Sequence, residues 1–270
     1  MNLDGMVDTL GTPNTDTGIN TDQYWKDKVV LVTGGASGMG RDLSLTLARA
    51  GAKVVIGNRN HDLGQAVLAE IQSMGGNAVF QTTDIAKASD CEALVQLALD
   101  HYGRLDMAFN NSGIQREFGS IHETSLQDIS DTIDVNLKGI LYLMKYEAKA
   151  MLKNGSGSIV NNASIFGLKG MPNTPEYIAS KHGIVGATRA VALDYAQQNI
   201  RVNAVCPGPI KTPGFDRVTG GDDHIYDASV PMHRIGQMSE VTSAVLWLLS
   251  EQASYVTGTT LSVDGGMSAE

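Results

Sequence analysis

The sequence predicts one doubly wound α/β domain of the Rossmann type, a parallel seven-stranded sheet flanked by helices, over residues 26–270. Three observations predict it. Short β-branched apolar runs alternate with helical stretches along almost the whole chain, as connections between parallel strands require. The first run opens directly into a glycine cluster, the form of a strand–turn–helix that receives a nucleotide. A chain of 270 residues with 42% hydrophobic content can bury one large core, and no repeat or domain linker follows residue 26.

Residues 1–25 read as a flexible polar arm, too poor in apolar side chains to pack alone and without the basic and apolar regions of a secretory leader. Lys28–Thr33 is a fully buried strand, and the stretch with Leu43, Leu45, Leu47 and Ala48 is a helix that stops at Gly51. Lys53–Ile56 completes the first βαβ unit. Asp62–Met74 is a helix ended by Gly75-Gly76, and Ala78–Gln81 is a strand. Ser89–His101 is a helix capped by Ser89 or Asp90, followed by a strand at Leu105–Phe109. A long helical region covers Ser125–Lys153, then a strand covers Ser158–Asn162. Glu176–Gln197 is helical, and its Gly183 and Gly186 allow close approach of another element. Ile200–Cys206 is a strand. Residues 207–238, rich in Pro and Gly and without periodicity, read as a substrate lid or binding loop. A last helix opens at Ser239 and runs to Leu249, and Thr260–Val263 is the final strand.

Charge and cysteine usage narrow the function classes. A formal net charge of −9 argues against nucleic acid as a general partner. Cys91 and Cys206 form neither a disulfide framework nor a metal pattern, which fits a reducing, cytoplasmic protein without a metal site. No apolar run reaches the length of a membrane span.

Two motifs carry chemistry. In Thr33-Gly34-Gly35-Ala36-Ser37-Gly38-Met39-Gly40 the glycines permit a tight turn, and the helix that follows offers backbone N–H groups and its positive dipole end to a pyrophosphate. Tyr177 and Lys181 stand four apart on a helix, one turn from each other on one face. An ammonium near a phenol favours the phenolate, and so lowers the tyrosine pKa from roughly 10 toward neutrality. That makes Tyr177 a proton donor to a carbonyl or an acceptor from an alcohol.

With T-G-x-x-x-G-x-G in place of the commoner G-x-G-x-x-G, the octet and Tyr177-x-x-x-Lys181 together resemble the short-chain dehydrogenase/reductase family, from about Lys28 to Met267. Further stretches resemble it in order. Asn110-Asn111-Ser112-Gly113 is similar to the family's N-N-A-G, with Ser112 for Ala. Asn136 resembles the asparagine of the catalytic tetrad, Ser164 stands where the catalytic serine is kept, and Pro207-Gly208-Pro209-Ile210-Lys211-Thr212 resembles P-G-x-I-x-T. The resemblance implies a catalytic set of Asn136, Ser164, Tyr177 and Lys181. Tyr177 would trade the proton and Ser164 would bond the substrate oxygen. Lys181 would bond the nicotinamide ribose, and Asn136 would hold a water leading from Lys181 to solvent. It implies cofactor contacts from Gly34, Ser37, Gly38, Met39, Gly40, Asn111, Ser112, Gly113, Pro207, Gly208, Ile210 and Thr212, with Asp84 and its neighbour Ile85 at the adenine. An N-cap role is the rival for Asp84. It also implies a homotetramer with the helices of Ser125–Lys153 and Glu176–Gln197 at one interface.

The second strand ends in Asn58-Arg59, where an acidic residue would hold an NAD ribose. A neutral side chain followed by a guanidinium suits a 2′-phosphate, so NADP(H) is expected over NAD(H). The rival is an Arg59 that stacks on adenine with Asn58 on a hydroxyl. Ile114, Gln115, Phe118, Ile165, Phe166, Leu168, Met171, Phe215, Ile225, Tyr226, Val230 and Met232 are the expected pocket walls, and suit a hydrophobic or cyclic secondary alcohol or ketone. A 3-oxoacyl-carrier-protein reductase is the alternative, with Lys169, Lys211, His233 and Arg234 as its basic rim. A non-catalytic dinucleotide-binding protein would have lost a tetrad member, and all four are present.

Overall fold

The computed structural model describes residues 24–269. Seven parallel strands form one sheet in the order β3-β2-β1-β4-β5-β6-β7. They are β1 Val29–Thr33, β2 Lys53–Asn58, β3 Asn77–Thr82, β4 Met107–Asn110, β5 Gly157–Asn162, β6 Ile200–Pro207 and β7 Thr260–Val263. The helices are α1 Gly38–Arg49, α2 His61–Ser73, α3 Ala88–Tyr102, α4 Leu126–Ile133, α5 Gly139–Asn154, α6 Pro175–Tyr195, α7 Pro213–Thr219 and α8 Met238–Leu249.

The pleat assigns each strand residue to one of two cores. In β1, Val29 and Leu31 face the core covered by α3, α5 and α6, while Val30 and Val32 face the core covered by α1, α2 and α8. Every residue of β1 and β4 is buried, whereas β3 and β7 at the edges are mostly half-exposed. Coverage on both faces explains why the inner strands read as continuous apolar runs and not as alternation. Strand order reverses between β1 and β4, and the crevice beyond their carboxyl ends is where such sheets place ligands.

The fold class is as the sequence predicts, and several boundaries differ. Residues 1–23 of the expected arm lie outside the described residues. Trp25, assigned to that arm, is instead buried in the second core, because an indole of that size gains more by packing than by exposure. The fourth strand starts at Met107 and not Leu105, since Asp106 turns inward: its Oδ2 accepts the Val29 N–H at 2.8 Å. Helix α3 begins at Ala88 and neither Ser89 nor Asp90 caps it; Asp90 instead accepts the Asp84 N–H at 3.0 Å. Helix α8 begins at Met238, with Gln237 and Glu240 forming a capping box, so Ser239 is already inside it. The long helical region is interrupted by a π-helical turn at Asp134–Lys138. Gly183 does admit a close neighbour, Leu137, but an added Cβ at Gly186 would meet nothing among the described residues. Helix α7 lies within the stretch expected to be irregular. Among the described residues no helix is long and apolar enough to cross a membrane.

Candidate active site

The turn after β1 is fixed by contact. Gly34 has a φ of +62°, and a Cβ on Gly40 would stand 2.3 Å from the Gly34 carbonyl oxygen, so no other residue fits there. Ser37 precedes α1 in extended conformation without a side-chain cap, and the first turn of α1 carries no acidic residue. The leading N–H groups of α1 therefore face the crevice as donors for an anionic group. Thr33 ties this turn to the next strand: its Oγ1 accepts the N–H groups of Asn111 at 3.0 Å and Ser112 at 3.2 Å.

Across the crevice, β5 and α6 bring the reactive groups together. Asn162 Nδ2 donates to Asn111 Oδ1 at 3.0 Å, locking the ends of β4 and β5, and the Asn162 carbonyl accepts Lys181 Nζ at 2.9 Å. Lys181 Nζ lies 5.5 Å from the centroid of the Tyr177 ring. A Cβ on Gly113 would stand 3.3 Å from Asn136 Oδ1, a tight approach, and 3.7 Å from the ammonium, an ordinary contact. Ser164 begins the turn after β5 and accepts the Phe166 N–H at 3.1 Å.

The expected acidification of Tyr177 is corrected by burial. Desolvation pushes the half-buried phenol up to about 12, and the opposing influence is the Ser164 hydroxyl and not Lys181. Burial also pushes Lys181 down to about 8, so the ammonium is itself held at a cost. The spacing argument put the two groups on one face correctly but left out desolvation, which dominates inside this wall.

Asn136 sits in the π turn. Its Oδ1 accepts the Ile114 N–H at 2.7 Å, and its Nδ2 donates to the Ile114 carbonyl at 2.8 Å and to Ser180 Oγ at 3.3 Å. Its side chain thus staples the loop after β4 to α6.

These elements enclose a cleft of about 530 Å³. Ser37, Gly38, Met39, Asn111, Gly113, Ser164, Tyr177 and Lys181 line it together with Pro207, Gly208, Ile210 and Thr212. Gly34, Gly40, Ser112 and Asn136 lie behind that lining. Ile85 is buried in the first core against Gly139. Asp84 accepts the Ala86 N–H at 3.2 Å, so it shapes the turn before α3 without capping it. Asn58 Nδ2 donates to the Asn60 carbonyl at 3.0 Å, and Arg59 is exposed with no ion pair among the described residues.

Of the expected substrate walls, Ile114, Gln115, Phe118, Ile165, Phe166, Met171, Phe215 and Tyr226 line the cleft. Leu168, Ile225, Val230 and Met232 do not; Val230 is buried and Met232 lines a separate hollow near Arg234. The sequence reading missed Arg116, Arg217 and Met267 in the wall. Met267, close to the chain end, carries no local signal; its carbonyl is held by Lys169 Nζ from the loop after β5.

A half-buried tyrosine beside a buried serine and lysine at the switch point of a doubly wound sheet, facing a glycine turn and a bare helix end, defines a nicotinamide-dinucleotide-dependent oxidoreductase. Comparison with known proteins then fixes the relationship. A family model described as enoyl-(acyl carrier protein) reductase matches residues 34–268. Cyclohexanol dehydrogenase from Acinetobacter sp. (strain SE19) is 42% identical over 249 residues, covering 91% of this chain and 97% of that protein. A 2,5-dichloro-2,5-cyclohexadiene-1,4-diol dehydrogenase from Sphingobium indicum is 41% identical over 246 residues, covering 90% and 97%. The crystal structure of levodione reductase superposes with a TM-score of 0.87 at 33% identity, covering 90% of this chain and 98% of that one. The chain belongs to the short-chain dehydrogenase/reductase family.

Proposed function

We propose that the protein interconverts a cyclic secondary alcohol and its ketone, with NADP(H) as the preferred cofactor and Tyr177 as the general acid and base. One observation carries the reading: the Tyr177 hydroxyl, Ser164 and the Lys181 ammonium converge on the floor of a cleft whose outer wall is Ile114, Phe118, Phe166, Met171, Phe215 and Tyr226. An apolar wall around one polar floor suits a ring with a single reacting oxygen. Cyclohexanol dehydrogenase and the cyclohexadiene-diol dehydrogenase, by their names, act on rings of that kind.

When bound, the nicotinamide supplies or accepts the hydride. The protein orients the carbonyl and manages one proton. In reduction, the Tyr177 O–H is given to the carbonyl oxygen as the hydride reaches the carbon, and Ser164 Oγ–H holds that oxygen while charge develops on it. The phenolate so formed, favoured by the Ser164 hydrogen bond, regains its proton from solvent. In oxidation the same groups run in reverse. A phenol held near 12 by burial is a better donor than acceptor at neutral pH, so the oxidative direction gains with rising pH.

The glycine turn and the uncapped start of α1 fit a pyrophosphate, and the exposed, unpaired Arg59 beside a neutral Asn58 suits a 2′-phosphate. The carrier-protein alternative loses its basic rim. Lys169 is held by Met267, Lys211 by Asp216 and Asp223, Arg234 by Glu240, and His233 Nδ1 by the Asp227 carbonyl. We further place the protein in the cytoplasm, which its two buried free thiols suit, as a homotetramer. The tetramer is supported by exposed Leu141 and Leu152 on α5 and Leu193 on α6.

The test is a panel of cyclic ketones, cyclic diols, sugars and β-ketoacyl thioesters with NADPH and NADH, run beside Tyr177→Phe. Expected is turnover of cyclic substrates, lowered in Tyr177→Phe by about 10²–10⁴ with cofactor affinity retained. Faster turnover of β-ketoacyl thioesters than of cyclic ketones would overturn the substrate class, and an active Tyr177→Phe would overturn the proton role.

A further inference from the structure

Behind the reactive strand ends lies a second polar cluster that the reaction does not use. Glu147 on α5 is completely buried. Its Oε2 accepts Asn110 Nδ2 at 3.0 Å; the same Nδ2 donates to Asn161 Oδ1 at 3.0 Å, and Asn161 Nδ2 donates to Thr188 Oγ1 on α6 at 2.9 Å. Asn110 and Asn161 are register partners across β4 and β5. The next residues along those strands are Asn111 and Asn162, the pair that faces the cleft and holds Lys181. Glu147 therefore grips, from the helical side, the peptide segment whose other side carries the reactive groups.

Two atoms of this cluster are orphans. Glu147 Oε1 and Asn110 Oδ1 are both buried without a hydrogen-bond partner, and both are acceptors if the carboxyl is ionised. A buried acceptor without a donor costs about 1–3 kcal/mol, and more if charged. The two groups are already joined through Nδ2–H···Oε2, and each orphan is the oxygen that this bond leaves over. One proton on Oε1 turns that oxygen into a donor and directs it at Asn110 Oδ1, removing both faults at once.

We propose that Glu147 is a neutral carboxylic acid, joined to Asn110 by a two-bond acid–amide ring, and that it is a positioning residue for the strand ends bearing Asn111, Asn162 and Ser164. The surroundings agree. Burial pushes the carboxyl up to about 8, and among the described residues no cation pairs with it. From β4, β5 and α6 it meets only the neutral Asn110, Asn161 and Thr188 network, and from α5 itself the Met144 sulfur bonded to Asn161. From α3 the one titratable group that feels its charge is Cys91, itself pushed up to about 12 and so a neutral thiol throughout the working range.

The sign of the pH effect follows. A carboxyl whose folded pKa is raised from 4.5 to about 8 gives stability that is full below 4.5 and lost as pH rises toward 8. Lys181, lowered from 10.5 to about 8, acts in the opposite sense above that pH, and His224, raised by Asp227, is common to wild type and Glu147→Gln, so their difference between pH 5 and 8 isolates Glu147.

The experiment compares the whole protein with Glu147→Gln and Glu147→Leu. Glutamine reproduces the ring without a titratable proton, accepting from Asn110 Nδ2 and donating to Oδ1; leucine removes that partner and leaves Asn110 with Asn161 alone. Infrared difference spectra at pH 7 should show a protonated-carboxyl band in the wild type that Glu147→Gln lacks, and the band should fade above pH 8. The melting temperature of the wild type should fall relative to Glu147→Gln between pH 5 and 8. Turnover should stay within about threefold in Glu147→Gln and drop about tenfold in Glu147→Leu, in kcat and not KM. The wild-type to Glu147→Gln ratio of kcat should decline across the same pH window, because Tyr177 and Lys181 are common to both. Absence of the band, or parallel melting curves, overturns the neutral acid. Equal kcat in Glu147→Leu overturns the positioning role; should that variant not fold, the kcat ratio of Glu147→Gln across pH decides it, a flat ratio counting against. Only the turnover arms rest on the proposed role of Tyr177. The infrared and melting arms do not, so failure of either reading shows separately.

Discussion

The two walls of the cleft are built on opposite principles. The wall made by the ends of β1, β4 and β5 is a closed polar lattice in which Thr33, Asn111 and Asn162 bond one another and Lys181 closes onto the last of them. The wall made by residues 207–238 is one short helix and several turns, fastened by ion pairs at the surface: Lys211 with Asp216 and Asp223, Arg234 with Glu240. Buried, mutually bonded groups lose a great deal when one partner is removed, whereas an exposed ion pair contributes about 0–1 kcal/mol. Under the proposed function the first wall would fix where a proton moves, and the second would be displaced at small cost, as a substrate-admitting wall must be.

Replacing Lys181 by Met tests the rigid wall and should have the largest effect. Turnover should fall by about 10²–10⁴, because both the ribose contact and the charge facing the phenol disappear. Stability should change with a definite sign. The lysine amine, lowered from 10.5 to about 8 in the fold, binds fewer protons than in the unfolded chain between those values. Wild-type stability should therefore rise relative to Lys181→Met as pH goes from 8 to 10.5. Denaturant titrations at several pH values measure this, and a difference that stays constant would show that the amine is not desolvated.

Replacing Lys211 by Met tests the other wall and should be milder. Both carboxylates lose their cation, which frees α7 from the turn at Asp223. KM for substrate should rise about threefold with kcat nearly unchanged, and limited proteolysis within 213–230 should speed up while the global melting temperature stays within a few degrees. A loss in kcat as large as that of Lys181→Met would abolish the contrast between the walls.

The difference between the walls also decides what could be read from the sequence. The rigid wall comes from short motifs, each with its own steric or chemical demand: Gly40 because it touches Gly34, Gly113 because it flanks Asn136 and Lys181, Tyr177 and Lys181 because four residues make a helical turn. Such demands leave a trace in residue type and spacing. The wall of residues 207–238 leaves less: its opening motif Pro207–Thr212 and its Phe215 and Tyr226 are legible, but α7 is seven residues long, too short for a periodic signal, and its Arg217, like Met267, enters the cleft through tertiary packing alone. Burial was the other hidden quantity. Spacing placed the ammonium near the phenol, but whether its charge outweighs desolvation depends on the whole wall, and here desolvation dominates. Glu147 was invisible for the same reason: on a helix face it reads as one more surface charge, and only the fold encloses it.

The end of β2, where the adenine is proposed to lie, stands between these cases and gives the smallest expected effect. Asn58 is buried and fixed by the Asn60 carbonyl, as the rigid wall is fixed, while Arg59 projects into solvent, as the lid residues do. A solvated guanidinium meeting a phosphate gains part of a charge-assisted pair and is screened by salt. Arg59→Ala should therefore weaken NADPH binding about tenfold at low ionic strength, and less at high salt, with NADH affinity held within about twofold. Fluorescence titration of each dinucleotide at two salt concentrations measures it without turnover. Equal losses for both cofactors would mean that Arg59 stacks on the adenine and does not meet a 2′-phosphate, and the neutral Asn58 would then serve NAD(H) through its ribose hydroxyls.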